Sequence, residues 1–162
     1  LQLQGARSAV LTLSDRASDG RYEDRSGPVL VQGLQALGAE VASAEVLADG
    51  IEPLASRLRA LAAEGVQLCL CTGGTGLGPR DLTPEALQSL GGRRVDGLAQ
   101  MLRALSAQHT PMAWLSRAEV VQLDGMLVFA LPGSPRAAAQ CLEMLAPLLG
   151  HALAMMTGRG HA

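Results

Sequence analysis

The sequence has no lysine and no asparagine, and all thirteen of its basic residues are arginine. Without lysine, no residue can form a Schiff base with a carbonyl substrate or with pyridoxal phosphate. The phosphate-binding loop that ends in Gly-Lys-Ser/Thr is excluded for the same reason. If this protein handles phosphate groups, it must balance their charge with arginine, backbone N–H groups or a metal ion.

Aromatic residues and excess positive charge are also scarce. Trp114, Tyr22 and Phe129 are too few to form a platform on which unpaired bases stack. The formal net charge of −2 gives no basic surface for a polyphosphate backbone, so we expect no nucleic acid partner. No apolar run approaches the roughly 20 residues of a membrane span, and the first residues lack a secretory signal. We therefore expect a cytoplasmic protein that does not bind membranes.

The three cysteines predict no disulfide framework, because an odd number in a chain of this size is atypical of one. Cys69 and Cys71 lie two residues apart in the apolar segment VQLCLCT, where a strand would place both side chains on the same face. We interpret them as small buried apolar residues. The three histidines are scattered along the chain and complete no metal site.

The length of 162 residues, with 48% of them hydrophobic, suits one domain over residues 1–162. Apolar segments with strand-like bounds alternate with helical patterns, and Asp124-Gly125 lies between two apolar runs. These patterns predict an α/β protein, a three-layer α/β/α fold with a mostly parallel sheet and a small antiparallel hairpin element. The predicted elements are strands over 7–13, 40–47 and 66–71, helices over 27–37, 51–63, 97–108 and 135–156, a short helix starting at Thr83, and a hairpin within 118–131.

Polar, acidic or glycine-rich residues follow four of the predicted strands. They are Ser14, Asp15 and Arg16 after the first strand, Asp49 after the second, residues 72–81 after the third, and Pro132–Pro135 (PGSP) after the hairpin. In an open α/β sheet, ligands bind beyond the carboxyl ends of the strands. The sequence therefore predicts a ligand site at this edge of the sheet.

Residues 72–81 (TGGTGLGPRD), which we call the glycine loop, carry the strongest local signal. Four glycines let the backbone approach a ligand closely and turn consecutive N–H groups toward an anion. A tight turn alone would explain one or two of these glycines. The spacing matches neither the dinucleotide fingerprint GxGxxG nor a lysine-containing phosphate loop. We predict phosphate binding of another kind.

Several polar residues next to the predicted helices have two interpretations. Asp49 could cap the helix that begins near residue 51, or it could face the ligand site. Ser26 and Ser134 precede prolines as helix caps would, and a helix start is also a site for anions. We assign Thr83 as the cap of the short helix, which leaves Asp81 without a structural role. Binding of a divalent metal ion would give Asp81 a function.

Five motifs in this order resemble the molybdenum cofactor biosynthesis proteins of the MogA/MoaB type and the G domains of gephyrin and its plant counterparts. The resemblance covers about residues 7–155. Two positions depart from the family: Gln100, where the bacterial enzymes often have Glu, and Asp96, where members usually have Pro. The motifs are SDRAS (14–18), EDRSG (23–27), TGGTGLGPRDLTPEA (72–86), LSR (115–117) and LPGSP (131–135).

The resemblance implies a homotrimer with molybdopterin adenylyltransferase activity. Such an enzyme transfers AMP from ATP to the terminal phosphate of molybdopterin, with Mg²⁺, and releases diphosphate. Asp49 and Asp81 match the two acidic positions tied to catalysis or metal binding. The other matching pocket residues are Asp15, Ser26, Thr72, Gly73, Gly74, Thr75, Gly76, Ser116, Arg117, Pro132, Gly133, Ser134 and Pro135.

Our hypothesis for the chemistry is that Asp49 and Asp81 position Mg²⁺, the glycine loop holds phosphate, and Arg80 or Arg117 neutralises it. One alternative is a non-catalytic molybdopterin-binding or scaffold module of the same family, working with other molybdenum cofactor enzymes. A second is the related domain of competence-damage proteins, which are linked to nicotinamide nucleotide hydrolysis and carry a deamidase domain that this sequence does not contain.

Overall fold

Six strands form one mixed sheet in the computed structural model, which describes residues 2–159. The strand order is β2-β1-β3-β6-β5-β4. The first four strands in this order run parallel, and β5 and β4 are antiparallel to their neighbours. The prediction of one domain over 1–162 also includes Leu1 and residues 160–162, which lie outside the described residues. The strands are β1 (Arg7–Leu13), β2 (Glu40–Leu47), β3 (Leu68–Thr72), β4 (Arg93–Arg94), β5 (Glu119–Leu123) and β6 (Met126–Leu131).

Helices cover both faces of the sheet, which confirms the three-layer α/β/α prediction. On one face, α2, α5 and α6 bury Leu30, Leu102 and Leu145 in one core. On the other face, α3 and α4 bury Leu58 and Leu87 in a second core. The helices are α1 (Asp15–Ser18), α2 (Ser26–Ala36), α3 (Ile51–Ala63), α4 (Thr83–Ser89), α5 (Asp96–Ser106) and α6 (Pro135–Met156), with a 3₁₀ helix at Pro111–Leu115.

The central strand β3 shows how the sequence supplies both cores. Successive side chains of a strand point to opposite faces of the sheet. Leu68 and Leu70 accordingly contribute to the core under α2, α5 and α6, whereas Cys69 and Cys71 contribute to the core under α3 and α4. Both cysteines are free and fully buried, as predicted. The first four residues of β3 are apolar, and its polar residues come only at its carboxyl end, with the buried Thr72 and the glycine loop that follows.

The predicted hairpin is present, with β5 and β6 paired antiparallel around Asp124 and Gly125. Asp124 has a φ of +53°, a left-handed conformation that aspartate tolerates. Three short elements were not predicted: α1, β4 and the 3₁₀ helix. With two to five residues each, they are too short to show a hydrophobic period.

The last helix, α6, is long and apolar enough to cross a membrane by length and composition alone. One face of it is nevertheless part of a core of this domain, and the core helix of a globular protein meets the same two criteria. Its buried residues recur every three or four positions, as in an amphipathic helix that packs on a sheet. They are Ala138, Cys141, Leu142, Leu145, Leu149 and Leu153.

Candidate functional site

A cavity of about 500 Å³, which we call cavity 1, lies beyond the carboxyl ends of the parallel strands. Residues that follow β1, β2, β3 and β6 all contribute to its wall, because parallel strands end at the same edge of a sheet. The four strand ends singled out in the sequence are therefore adjacent in space. The predicted site residues that line cavity 1 are Asp15, Ser26, Asp49, Thr72, Gly73, Gly74, Asp81, Gly133 and Pro135.

A second cavity of about 460 Å³, cavity 2, lies on the other side of the glycine loop. It shares Gly74, Asp81 and Gly133 with cavity 1, and the predicted residues Thr75, Gly76, Ser116 and Pro132 also line it. Its remaining wall was not predicted, since these residues, apart from Leu115 of the LSR motif, come from separate segments of the chain and form no local motif. These residues are Leu102, Arg103 and Ser106 of α5, Thr110, Met112, Ala113 and Leu115 around the 3₁₀ helix, Ala118, and Ala137, Gln140 and Cys141 of α6.

Hydroxyl groups fix the backbone between the two cavities. Thr72 donates to the carbonyl oxygen of Pro132 at 2.7 Å, and Ser26 donates to that of Gly133. Thr83 donates to the carbonyl oxygen of Gly73 at 2.8 Å. The assignment of Thr83 as a helix cap is therefore wrong, and so is the cap interpretation of Ser26, because both hydroxyls donate to carbonyl oxygens of other segments. Near the start of α2, it is Asp24 that accepts a hydrogen bond from the backbone N–H of Gly27.

The glycine loop presents unpaired backbone donors to the cavities. Among residues 2–159, the N–H groups of Gly74, Thr75 and Gly76 donate to no protein acceptor. Gly73 has a φ of +99°, and a Cβ at this position would collide with the carbonyl oxygen of Leu13. Only glycine fits that backbone. Several free N–H groups in one turn can form an anion-binding concavity, and phosphate binding by this loop stays a prediction.

Asp15 and Asp49 hold each other at the wall of cavity 1. The backbone N–H of Asp15 donates to Asp49 Oδ2 at 3.1 Å, and the backbone N–H of Asp49 donates to Asp15 Oδ1 at 3.0 Å. Asp49 therefore does not cap α3, whose cap position is Gly50 without a side-chain hydrogen bond. Asp49 lines cavity 1 instead, and its role toward a ligand stays a prediction.

The two carboxyl groups differ in their electrostatics. Burial raises the pKa of Asp49; the hydrogen bond from the backbone of Asp15 opposes this, and the nearby carboxylates of Asp15 and Asp81 add to it. The pKa of Asp15 is lowered, mainly by its hydrogen bond with the Arg80 guanidinium. The carboxylates of Asp15 and Asp81 thus add negative charge around Asp49, which the exposed Arg80 guanidinium offsets in part, and a bound metal ion would relieve the remainder.

Asp81 has a structural role that the sequence analysis did not assign to it. Its Oδ2 accepts a hydrogen bond from the backbone N–H of Gly78 at 2.9 Å and so closes the turn of the glycine loop. The argument that Asp81 lacked such a role is wrong. The residue still lines both cavities, so a role toward a ligand stays a prediction.

Arg80 and Arg117 both contact the glycine loop, but in different ways. Arg80 is 62% exposed, pairs with Asp15 at 3.1 Å and donates to the carbonyl oxygen of Asp49. Arg117 is half-buried and donates to the carbonyl oxygens of Gly76 and Asp81 and to the Glu85 carboxylate. Neither arginine lines cavity 1 or cavity 2, so their binding of phosphate stays a prediction.

Two predicted serines take local hydrogen bonds. Ser134 caps α6, with its hydroxyl accepting from the N–H of Ala137 at 3.4 Å, as predicted. Ser116 accepts from the N–H of Ala118 and lines cavity 2.

Asp24, which was missed as a site residue, lines cavity 1 and accepts from the Thr12 hydroxyl. Its place in the EDRSG motif was the signal that could have identified it.

Comparison with known proteins agrees with this geometry. A family model described as a probable molybdopterin binding domain matches residues 9–151. The chain is 45% identical to the molybdenum cofactor biosynthesis bifunctional protein of Synechococcus elongatus over 98% of this chain and 50% of that protein. The corresponding protein of Chlorobaculum tepidum is likewise covered over 50% of its length. The chain thus spans about half the length of these curated relatives.

Two further relatives are of similar length to this chain. The molybdopterin adenylyltransferase of Helicobacter pylori is 32% identical over 96% of this chain and 90% of that protein. The crystal structure of the molybdopterin biosynthesis enzyme MoaB from Thermus thermophilus superimposes with a TM-score of 0.88 at 40% identity, covering 94% of this chain and 96% of that one. The sequence comparison and the structural comparison therefore identify relatives of the same kind.

Proposed function

This chain belongs to the molybdopterin-binding family of molybdenum cofactor biosynthesis proteins, and from that premise we propose that it is a molybdopterin adenylyltransferase. The reaction transfers AMP from ATP to the terminal phosphate of molybdopterin and releases diphosphate. The observation that carries the proposal is the pair of cavities of about 500 and 460 Å³ that meet at one glycine loop with free N–H groups.

The chemistry requires charge management more than proton transfer. A phosphate group is already ionised at neutral pH, so its attack on the α-phosphorus of ATP needs no strong general base. Catalysis of such a transfer comes from positioning two anions and from stabilising the charge that develops on the leaving diphosphate. The free N–H groups of the glycine loop and the start of α6 behind Ser134 supply donors of this kind.

The side chains of Asp49 and Asp81 fit a magnesium ion. Within residues 2–159, no group of three or more His, Cys, Asp and Glu side chains forms a metal site by itself. Magnesium is commonly held by one or two carboxylates together with substrate phosphates, and the accumulated negative charge at Asp49 suits that donor set. When bound, the ion would offset charge on the phosphate groups.

The two cavities suit different parts of the substrates. We assign the phosphate groups to cavity 1 and the shared loop, since Asp49 and Asp81, which we propose hold magnesium together with phosphate oxygens, lie there. The more apolar wall of cavity 2, with Leu102 and Met112, suits a flat heterocycle. The α-phosphate of ATP, at which the adenylyl transfer takes place, would then lie at Gly74 and Gly133, where both cavities meet.

An adenylylation assay tests the proposal. The protein is incubated with ATP, molybdopterin and Mg²⁺, and we expect adenylyl-molybdopterin and diphosphate in equal amounts. Binding of molybdopterin without turnover would contradict the enzyme and support a non-catalytic binding or scaffold module. The homotrimer stays a prediction as well, and the native mass measured by light scattering on the same sample checks it.

A further inference from the structure

We propose that Arg117 is a positioning residue that fixes the shape of the glycine loop and does not itself bind substrate phosphate. Arg117 comes just before β5, outside the loop, yet four of its contacts are made to the loop and to α4. Its backbone N–H donates to the carbonyl oxygen of Thr75 at 2.9 Å, and its Nε donates to that of Gly76 at 2.9 Å. Its two terminal nitrogens donate to the carbonyl oxygen of Asp81 and to Glu85.

These contacts determine where the loop's own donors point. A trans peptide unit is planar, and its C=O and N–H groups point in opposite directions. Because Arg117 draws the carbonyl oxygens of Thr75 and Gly76 toward itself, the N–H groups of Gly76 and Leu77 point away from it. Among the described residues, neither of these N–H groups donates to a protein acceptor. Arg117 therefore orients two free donors, that of Gly76 through its backbone N–H and that of Leu77 through its side chain.

A second consequence is that the two ends of the loop are held together. The guanidinium group is a rigid planar fork, so its bonds to Gly76 and to Asp81 set the distance between those two residues. The carboxylate of Asp81 also closes the turn onto Gly78, and Arg117 fixes the backbone that carries it. The placement of Asp81 thus depends on Arg117.

The charge of Arg117 is already balanced within the protein. Glu85 pairs with it, both side chains are about one-third exposed, and the other oxygen of Glu85 is buried without a hydrogen-bond partner. Turning Arg117 toward a phosphate would release two loop carbonyls and leave the Glu85 carboxylate unpaired, which is costly. Arg80 is also paired, with Asp15, but it is 62% exposed, so water can replace its partners at less cost.

The test compares Arg117→Lys with Arg117→Gln. Lysine keeps the charge but cannot reproduce the fork, so we expect both variants to lose loop structure alike. In hydrogen–deuterium exchange, the amides of Gly78 and Thr83, which bond within the loop region, should exchange at least about tenfold faster in both variants, as the loss of one or two hydrogen bonds implies. The strand amides of β1 and β3 serve as the internal reference. Arg59→Lys, which alters a donor to the carbonyl oxygen of Ser89 away from the loop, is the matched control.

The affinity for ATP, measured by calorimetry, separates the two roles. A positioning role predicts a similar loss for Arg117→Lys and Arg117→Gln, whereas near-normal affinity and exchange in Arg117→Lys alone would overturn the proposal. Glu85→Gln gives a second arm if the Arg117 variants do not fold. Weakening the pair should loosen the loop and lower the affinity, but a phosphate-binding Arg117 would bind ATP more tightly once freed from Glu85. The part about ATP rests on the proposed function; the exchange arm needs no substrate and decides the positioning role even if no turnover is found.

Discussion

The two cavities on either side of the glycine loop are similar in volume and opposite in chemistry. Besides Asp81, which lines both cavities, cavity 2 has one charged side chain, that of Arg103. Most of its wall is apolar. Seven of the residues that line cavity 1 are charged. Its charged residues are Asp15, Arg16, Arg21, Asp24, Arg25, Asp49 and Asp81. A thin, glycine-rich segment can therefore separate an ionic compartment from an apolar one, since a backbone without side chains has two usable faces.

The contrast follows from the elements that build each wall. Cavity 1 is formed by loops that directly follow parallel strands, where the sheet ends and polar residues are solvated. Cavity 2 is formed by the inner faces of α5 and α6 and by the 3₁₀ helix, and the apolar residues of the two helices also pack toward the core. Substrates with a charged end and a flat ring need both environments side by side.

We expect the largest effect, on kcat, from a substitution at the wall of cavity 1. Asp81→Asn keeps an oxygen that can accept from Gly78 but removes the charge, so it isolates the role in metal or phosphate handling from the role in the loop. We expect kcat to fall at least about 100-fold, the size typical of losing one electrostatic contact to a transition state. Steady-state adenylylation kinetics measure this. Near-normal turnover in Asp81→Asn would remove Asp81 from the catalytic assignment.

We expect the second-largest effect from a substitution that loosens the backbone between the two cavities. Thr72→Val removes a fully buried hydroxyl and leaves the carbonyl oxygen of Pro132 without its donor, which should lower the free energy of unfolding by about 1–3 kcal/mol. Ser8→Ala is the matched control, because Ser8 is equally buried and donates to a carbonyl oxygen at the opposite end of β1. Chemical denaturation measures both. If the hydroxyl also shapes the site, only Thr72→Val raises KM.

Cavity 2 can be made smaller without changing any charged residue. Ala137→Leu adds bulk at the wall of cavity 2, and we expect KM for one substrate to rise about tenfold with little change in kcat, the sign of lost uniform binding. Ala139→Leu makes the same substitution two residues along α6, at a position that lines neither cavity. Equal effects of the two variants on KM would refute the assignment of a ring to cavity 2.

The smallest expected effect is on the pH dependence of the stability of the fold. Because burial raises the pKa of Asp49 above its ordinary value of 3.8, the folded state binds more protons than the unfolded state between the two values. Asp49 therefore destabilises the fold as pH rises through its folded pKa, and Asp49→Asn should have a higher Tm than the wild type at pH 7 but not well below pH 3.8. Thermal unfolding without Mg²⁺ measures the difference.

Asp15→Asn is the control of opposite sign. The Arg80 guanidinium lowers the pKa of Asp15, so its charged form stabilises the fold at neutral pH, and this stabilisation is lost as pH falls through the folded pKa. Asp15→Asn should therefore have a lower Tm than the wild type at pH 7. If both variants shift Tm in the same direction, the electrostatic distinction between the two carboxyl groups is wrong.

Much of the fold could be predicted because its longer elements repeat a clear pattern. The bounds of α3 and α6 agree with the predicted 51–63 and 135–156, since Leu54, Leu58 and Leu61 keep helical spacing and Pro135 follows a capping serine. The elements α1 and β4 were missed because four and two residues carry no period. Helix starts were the least certain, since Ser26 and Thr83 have the residue types of caps but other partners.

The sequence by itself determined the layered α/β architecture, the edge of the sheet at which the candidate site lies, and the condition that any phosphate handled there be bound without lysine. Only the tertiary structure decided what each polar group does. Ser26 reaches Gly133, which is 107 residues away along the chain, and Arg117 reaches Gly76, which is 41 away. Local spacing reports the period of an element, whereas a hydrogen-bond partner depends on which distant segment packs beside it. The division of the site into ionic and apolar compartments exists only once those segments meet.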